Sequence, residues 1–240
     1  LTGSISSKNV GSYDVADLSS QVGNGGNGGL ADNYDVRFKL DVTPRPLTSV
    51  ITAQPSKVYD GTTDAVLTSA RFVNATDSGV ASGTGFIADD NLDFVDDTKG
   101  TYASKDAGTG IRVTGPDAIE GGDLGNYIYT PGETTADITA KAVTVSVNVT
   151  GTRQYDGTTD AYGANFGDIG NGNVVGGGTG FVGSEMLTMT GVGTAAGKDV
   201  ADQPVGGWEV TDHGTLAFAN GKNGGRASNY AVTINDAKLK

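Results

Sequence analysis

A seven-residue motif, Tyr-Asp-Gly-Thr-Thr-Asp-Ala, occurs twice in the chain, at Tyr59–Ala65 and at Tyr155–Ala161. The two occurrences lie 96 residues apart, which is the length of a small domain. Identical stretches at such a spacing indicate repeated copies of one module, and a repeat constrains the fold more than any other sequence feature. A chain of near-copies is more often a spacer or a binding array than an enzyme.

Two further landmarks follow a similar period: an Asn-Tyr pair, and a lysine near the start of a strand-like segment. The asparagines are Asn33, Asn126 and Asn229, and the lysines are Lys8, Lys105 and Lys198. Their order predicts the C-terminal part of a module at residues 1–45 and complete modules at 46–141 and 142–240. Because the chain begins with Leu1 and shows no cationic, apolar leader, we interpret it as an internal piece of a longer protein.

Composition excludes several classes of partner. There are 16 basic and 28 acidic residues, and the resulting net charge of −12 repels nucleic acid phosphates and anionic lipid. No stretch of 18 consecutive apolar residues occurs, so we expect no membrane insertion. Cysteine is absent, so core packing and sheet hydrogen bonds must hold the modules together without disulfides.

Period-two alternation of apolar and polar residues predicts β-strands. Residues 143–150 place four valines on one face, and residues 35–42 alternate in the same way with charges on the other face. Shorter predicted strands, rich in β-branched and aromatic residues, are 65–73, 92–95, 111–113, 126–129, 187–189, 208–210, 216–218 and 230–234. The sequence therefore predicts an all-β fold of tandem β-sandwich-like modules, either Ig-like or β-grasp-like, arranged end to end.

The repeated motif has the chemistry of a turn. A glycine after aspartate, as in Asp60-Gly61 and Asp156-Gly157, adopts the positive φ of a tight hairpin turn at no steric cost. The threonines that follow can hydrogen-bond back to the turn, and Tyr59 and Tyr155 can cover the end of the module. Between modules, the prolines of residues 41–48 would stiffen the first junction as an extended spacer.

These residues resemble a known family. Lys57–Thr63, then Lys105-Asp106, Gly125–Tyr127 and Asp137–Thr139 are similar to the YDG-type repeat. That repeat resembles the MBG repeats and is found in large Gram-negative surface exoproteins of the filamentous-haemagglutinin kind. The resemblance covers essentially the whole chain and is weaker in the second complete module. It implies an extracellular, all-β module strung in tandem within an adhesin or biofilm-matrix protein, and it implies no catalytic residues.

Residue patterns typical of catalysis and cofactor binding are weak. The only histidine is His213, in a turn-like setting without a counterpart in the other module, so we expect no enzyme activity and no organic cofactor. Asp89, Asn91 and Asp93 have the spacing of calcium ligands, yet Phe94 stands where an EF-hand needs glycine. A solvated acidic strand edge is the preferred interpretation, with a bound Ca²⁺ as the alternative.

Two covalent modifications fit the sequence. Each module pairs a lysine with an asparagine, which would allow an isopeptide crosslink of the kind found in other cysteine-free surface proteins; a solvated lysine is the alternative. The pairs would be Lys8 with Asn33, Lys105 with Asn126 and Lys198 with Asn229. Asn74 and Asn148 lie in glycosylation sequons.

The sequence thus favours a structural stalk or spacer of a bacterial cell-surface or secreted adhesin, whose partners are neighbouring modules of the same chain. Such a segment would present a distal binding region and contribute to adhesion or biofilm. The alternative is a repeat array that binds a host or matrix glycan or protein through Gly/Asn-rich loops and exposed aromatic residues. For that alternative, Trp208 is the candidate sugar platform, although an indole that fills the core is the simpler interpretation.

Overall fold

The structure, a computed structural model, describes residues 3–16, 23–33, 37–145, 149–174, 180–234 and 237–240. Regular structure in these ranges consists of β-strands and short 3₁₀ turns without an α-helix, which confirms the all-β prediction. None of the helical segments described is both long and apolar enough to cross a membrane. The 3₁₀ turns are Ala31–Asn33, Leu124–Asn126, Gly163–Phe166, Asn171–Asn173, Val200–Asp202 and Ala227–Asn229.

The strands are short, as the many turn residues predict. In chain order they are β1 (Gly11–Asp14), β2 (Lys39–Val42), β3 (Arg45–Ala53), β4 (Ser56–Val58), β5 (Asp64–Phe72), β6 (Asp93–Phe94), β7 (Lys99–Tyr102), β8 (Gly108–Gly115), β9 (Ile119–Glu120), β10 (Tyr127–Thr130), β11 (Gly132–Thr139), β12 (Lys141–Val145), β13 (Val149–Gly151), β14 (Asp160–Tyr162), β15 (Leu187–Thr190), β16 (Val192–Ala195), β17 (Trp208–Asp212), β18 (Ala217–Asn220), β19 (Tyr230–Ile234) and β20 (Ala237–Leu239).

The chain divides into two compact units whose limits differ from those of the sequence modules. Unit 1 comprises residues Leu1–Gln54, Asp64–Thr101 and Val113–Thr134, and unit 2 comprises Pro55–Thr63, Tyr102–Arg112 and Thr135–Lys240. Three segments of the module predicted at 46–141, residues 55–63, 102–112 and 135–141, therefore belong to the same compact unit as the module predicted at 142–240. Strands β7, β8 and β11 contribute residues to both units.

Unit 1 contains a sheet with the strand order β10, β3, β5, β7, β8. Strand β3 pairs in parallel with β10, where Tyr127 lies opposite Arg45, and antiparallel with β5, where Ser49 lies opposite Phe72. Strands β1 and β2 form an antiparallel pair, as do β6 and β9. The core of the unit is formed by the buried faces of these strands, with Leu47, Ile51, Leu67, Val113 and Tyr127.

Unit 2 contains a sheet with the order β13, β20, β17, β16, β14, a parallel pair of β12 and β19, and an antiparallel pair of β15 and β18. Strands β8, β11 and β4 are neighbours in this unit, and β4 pairs in parallel with β11. The pair β12 and β19 repeats the pair β3 and β10 of unit 1, because each begins opposite the tyrosine of an Asn-Tyr pair. Large apolar side chains that are almost completely buried in this unit include Tyr59, Ile138, Val143, Val149, Ile169, Leu187 and Leu239.

Two segments differ from the sequence-based expectation. The junction at 41–48, predicted as a proline-stiffened spacer, instead contains the end of β2 and the start of the nine-residue strand β3, which includes Pro46 and has partners on both sides. The alternating run at 143–150 forms the end of β12 and the start of β13, while residues 146–148 lie outside the described residues. Of the predicted strand at 35–42, residues 39–42 form β2, residues 37–38 are not in a strand, and residues 34–36 also lie outside the described part.

Candidate functional site

Both Tyr-Asp-Gly turns have the backbone that the motif predicts. Gly61 has φ of +82° and Gly157 has φ of +79°. In each turn one aspartate oxygen accepts hydrogen bonds from the backbone amide and the hydroxyl of the threonine two residues later, all at 2.9 Å. The flanking strands β4 and β5 have different partners, so the motif is a connecting turn and not the hairpin turn that we expected.

A cation closes each turn from the same position. Lys57 Nζ donates to Asp60 Oδ1 at 3.0 Å and to the carbonyl of Thr62 at 2.9 Å. In the second copy Arg153 Nη1 donates to Asp156 Oδ1 at 3.1 Å, so the exchange of lysine for arginine preserves the contact. The turns themselves are thus equivalent, and the difference between the copies lies in what surrounds the tyrosine.

Tyr59 lies in a buried cluster centred on a carboxylate of the other copy. Its ring is 1% exposed, and its hydroxyl donates to Glu185 Oε1 at 2.8 Å. Tyr230 donates to the second oxygen, Glu185 Oε2, at 2.6 Å, and the two tyrosine rings meet edge to face at 5.5 Å. Lys105 Nζ donates to the Tyr59 hydroxyl at 2.9 Å and lies 3.6 Å from Glu185 Oε1. Glu185 thereby has a partner on each oxygen, which offsets the cost of burying its charge.

Asn229 makes a second set of contacts in the same cluster. This side chain is fully buried, accepts a hydrogen bond from the backbone amide of Ala107 at 2.8 Å and donates to Asp106 Oδ1 at 2.9 Å. Arg226 Nε lies 3.2 Å from the other oxygen of Asp106. An amide that bonds both the backbone and the side chain of one segment fixes the position of that segment. We call Tyr59, Lys105, Asp106, Glu185, Asn229 and Tyr230 the copy-joining cluster, because its first three residues come from the module at 46–141 and its last three from the module at 142–240.

Unit 1 contains a counterpart of this cluster, formed by the equivalent residues one copy earlier in the chain. Lys8 Nζ lies 2.6 Å from Asp90 Oδ1, and the Tyr127 hydroxyl donates to Asp90 Oδ2 at 2.7 Å. Asn126 accepts a hydrogen bond from the backbone amide of Val10 at 2.9 Å and donates to the side chain of Asn9 at 3.0 Å. The same combination of a lysine, the two residues after it, a carboxylate and an Asn-Tyr pair therefore occurs in both compact units.

The cluster shifts the pKa values of Tyr59, Lys105, Asp106 and Tyr230. The hydrogen bond from Asn229 and the nearby cations hold the pKa of Asp106 below its usual range, in spite of partial burial. The hydrogen bond with Tyr59 raises the pKa of Lys105 above its ordinary value. Burial, followed by the hydrogen bond to Glu185, raises the pKa of Tyr230 far above the ordinary value for a phenol, and burial raises that of Tyr59. The phenols thus stay protonated donors and the lysine a cation.

The contacts of the cluster bear on the predicted isopeptide crosslinks. A protonated Lys105 is a poor nucleophile, and Asn229 is held by Asp106 and Ala107. The predicted isopeptide partners have other contacts: Asn126 is bonded to Asn9 and Val10, and Lys198 Nζ donates to the carbonyl of Gly157 at 3.1 Å. Within unit 2 the structure brings Lys105, and not Lys198, into the cluster that contains Asn229. The crosslink itself stays a prediction that a mass measurement can test.

The candidate calcium ligands lie near strand β6. Asp93 is its first residue, and the backbone amide of Asn91 donates to Asp123 Oδ2 at 2.8 Å. Within the described ranges, no group of three or more histidine, cysteine, aspartate or glutamate residues is arranged to hold a metal ion. The calcium hypothesis for Asp89, Asn91 and Asp93 stays a prediction. Of the two sequons, Asn74 is partly buried and Asn148 lies outside the described residues.

Trp208, the candidate ligand contact, begins β17 and is partly buried. Its indole packs so closely on Gly197 that a Cβ atom at that glycine would lie 2.5 Å from the ring. The indole also lines a cavity of about 40 Å³, together with Tyr155 and Lys198. That volume is far below the roughly 300 Å³ of a small-molecule pocket, so packing explains the position of the indole better than a sugar platform does.

The sequence analysis singled out Tyr59, Lys105 and Asn229, but it paired Lys105 with Asn126 and Asn229 with Lys198. It did not identify Glu185 or Asp106 as functional residues. A signal for the missing residues exists in the spacing. Glu185 follows Asp90 by 95 residues, close to the 96 residues between the two motifs, and Asp106 directly follows the landmark lysine.

Comparison with protein families identifies a YDG domain in the chain. Residues 43–136 match the family model of that domain, which corresponds to most of the module predicted at 46–141. Comparison with curated proteins and with solved structures found no similar chain.

Proposed function

We propose that the chain is a structural stalk or spacer segment of a bacterial cell-surface or secreted adhesin, which presents a distal binding region and contributes to adhesion or biofilm. The observation that carries the proposal is the copy-joining cluster, in which side chains of consecutive repeats share buried hydrogen bonds within one compact unit. The YDG domain at 43–136 adds family support through the resemblance of such repeats to those of filamentous-haemagglutinin-like exoproteins.

The proposed mechanism is mechanical and has no catalytic or cofactor step. β-Sandwich-like modules lie end to end, and each depends on its neighbour for buried partners of its Glu or Asp and its Asn-Tyr pair. Contacts of this kind resist separation of consecutive copies, because pulling them apart would leave charged and amide groups without partners. The net charge of −12 keeps neighbouring fibres soluble and apart on the cell surface.

Small-angle scattering of the 240-residue chain tests the spacer role. A compact globule of this length would have a radius of gyration of about 18 Å, whereas a spacer would give a clearly larger value and a rod-like distance distribution. A radius near that of a globule would overturn the proposal.

Ligand binding separates the spacer from the alternative, a glycan- or protein-binding array. Trp208 is the only tryptophan, so its fluorescence can be recorded against a glycan panel and against a soluble quencher. The spacer proposal predicts no glycan-dependent change. A saturable change with one glycan, together with loss of that glycan's binding by calorimetry in a Trp208→Phe variant, would favour the binding array.

A further inference from the structure

The landmark lysine and the two residues after it occur three times, in two different environments. Lys8-Asn9-Val10 and Lys105-Asp106-Ala107 each contact a carboxylate and an Asn-Tyr pair of the following copy, as described above. The third segment, Lys198–Val200, is exposed at all three residues. Val200 is 72% exposed, whereas its equivalent Ala107 is partly buried.

The tyrosine of the repeated motif shows the same contrast. Tyr59 is 1% exposed beneath Glu185 and Tyr230, but Tyr155 is 60% exposed although its own turn is formed in the same way. Lys198 is already held beside that turn through the carbonyl of Gly157 at 3.1 Å. The second copy therefore presents, on its surface, the groups that the first copy uses in the buried cluster.

We propose that Tyr155, Lys198, Asp199 and Val200 form a docking surface for a further repeat of the same type. That repeat would supply a carboxylate equivalent to Glu185 and an Asn-Tyr pair equivalent to Asn229 and Tyr230. The proposal deepens the spacer function by naming the residues through which the array continues.

Each group on the docking surface has a complementary group on such a repeat. The Tyr155 hydroxyl and the Lys198 ammonium donate to the incoming carboxylate, as Tyr59 donates to Glu185 with Lys105 beside it. Asp199 accepts from the incoming asparagine amide, and the backbone amide of Val200 donates to its oxygen. This arrangement requires one carboxylate and one primary amide at fixed separation, which a glycan lacks and an Asn-Tyr repeat possesses.

The test is a chain extended by one copy. Asn126 and Asn229 are 103 residues apart, which makes Lys240 the equivalent of Asp137, so residues 138–240 are appended directly after Lys240. In the added copy Lys198 is replaced by arginine and Tyr155 by phenylalanine, so that labelled peptides from the original surface are unique. An amine-reactive reagent then labels Lys198 and tetranitromethane labels Tyr155, and mass spectrometry follows both rates.

We expect nitration of Tyr155 to slow by about fivefold or more in the extended chain, because a covered group reacts only when its cover opens. Labelling of Lys198 should slow less, since its equivalent Lys105 keeps a 39% exposed side chain beside its carboxylate. Asn229→Ala with Glu185→Gln in the added copy should restore the rates of the 240-residue chain. Glu209→Gln in the added copy, a change at an exposed carboxylate, should not restore them.

Equal labelling rates in the extended and original chains would overturn the proposal. Amide hydrogen exchange of the added copy is recorded in parallel, and an added copy that stays unfolded also contradicts the proposal, because the docking surface is proposed to complete the unit that this copy forms. Glycan protection of Tyr155 without protection by the added copy would assign the surface to a ligand instead. The scattering test of the original chain does not depend on these outcomes, so the docking surface and the spacer function can fail separately.

Discussion

Removing a single oxygen from each of two identical motifs should have very different consequences. The substitution is Tyr→Phe at Tyr59 and, as its matched control, at Tyr155. Both tyrosines begin the same seven-residue sequence and the same type of turn, yet one is buried in the copy-joining cluster and the other is 60% exposed. We expect Tyr59→Phe to destabilise unit 2 and Tyr155→Phe to leave it unchanged.

The expected magnitude follows from the contacts of the Tyr59 hydroxyl. It donates to Glu185 at 2.8 Å and accepts from Lys105 at 2.9 Å. Hydrogen bonds to charged groups contribute about 1.5–3 kcal/mol each. Glu185 keeps Tyr230, and Lys105 is partly exposed and regains water, so the net loss should be about 2–3 kcal/mol. At Tyr155 the change should stay within about 0.5 kcal/mol, as at most surface positions.

Urea denaturation followed by Trp208 fluorescence measures this difference, because the only tryptophan belongs to unit 2. The slope of the unfolding free energy against urea should be the same in all three proteins, so that midpoints can be compared. Equal losses for the two variants, or a loss below about 0.5 kcal/mol for Tyr59→Phe, would refute the assignment of Tyr59 to a buried cluster.

Three further predictions concern the same unit, and urea denaturation measures each of them. Glu185→Gln should cost about 2–4 kcal/mol because two phenol donors and a lysine lose a charged partner. Glu209→Gln, at an exposed ion pair, should cost less than about 0.5 kcal/mol. Similar costs would contradict the buried role of Glu185. Because the pKa of Tyr230 is raised in the folded protein, its contribution to stability is present below the unfolded value of about 10 and is lost as pH rises above it. Stability should therefore fall above about pH 10, and less steeply in Tyr230→Phe; an identical pH dependence in the two proteins would contradict this. Gly157→Ala should cost about 1 kcal/mol through its positive φ alone. Gly61→Ala should cost about 2–3 kcal/mol, since its Cβ would also lie 2.7 Å from the side chain of Val182. Equal costs would show that the Val182 side chain moves aside freely.

Local features of this fold are predictable from sequence because their causes are local. A glycine after aspartate predicts positive φ, and Gly61 and Gly157 both have it. Threonine two residues after aspartate predicts a hydrogen bond back to the turn, which is observed at Asp60 and Asp156. Alternation of apolar and polar residues likewise predicts strands. It does not reveal that β12 and β19 pair in parallel, since parallel and antiparallel strands have the same period of two.

The composition of the copy-joining cluster is not predictable in this way, because its contacts cross from one copy to the next. A repeat period fixes the phase of each landmark but does not say which copy supplies its partner. The isopeptide hypothesis pairs Lys105 with Asn126 inside one module, and the structure places Lys105 in the cluster with Asn229 instead. The spacer predicted from the prolines at 44–46 differs from the structure for the same reason. The strands that pair with β3 lie farther along the chain, so the local proline pattern does not reveal them.

The offset between compact units and sequence repeats has a genetic consequence. Deleting residues 60–155 would join Tyr59 directly to Asp156 and regenerate one intact motif. The carboxylate and the Asn-Tyr pair that follow Lys8, Asn9 and Val10 would then be Glu185, Asn229 and Tyr230. Recombination between identical motif sequences can therefore shorten or lengthen such an array by whole copies while every remaining joint keeps its full set of partners. The repeated motif is in this sense a permissible crossover point, at which the number of copies can change without a change in the fold of each copy.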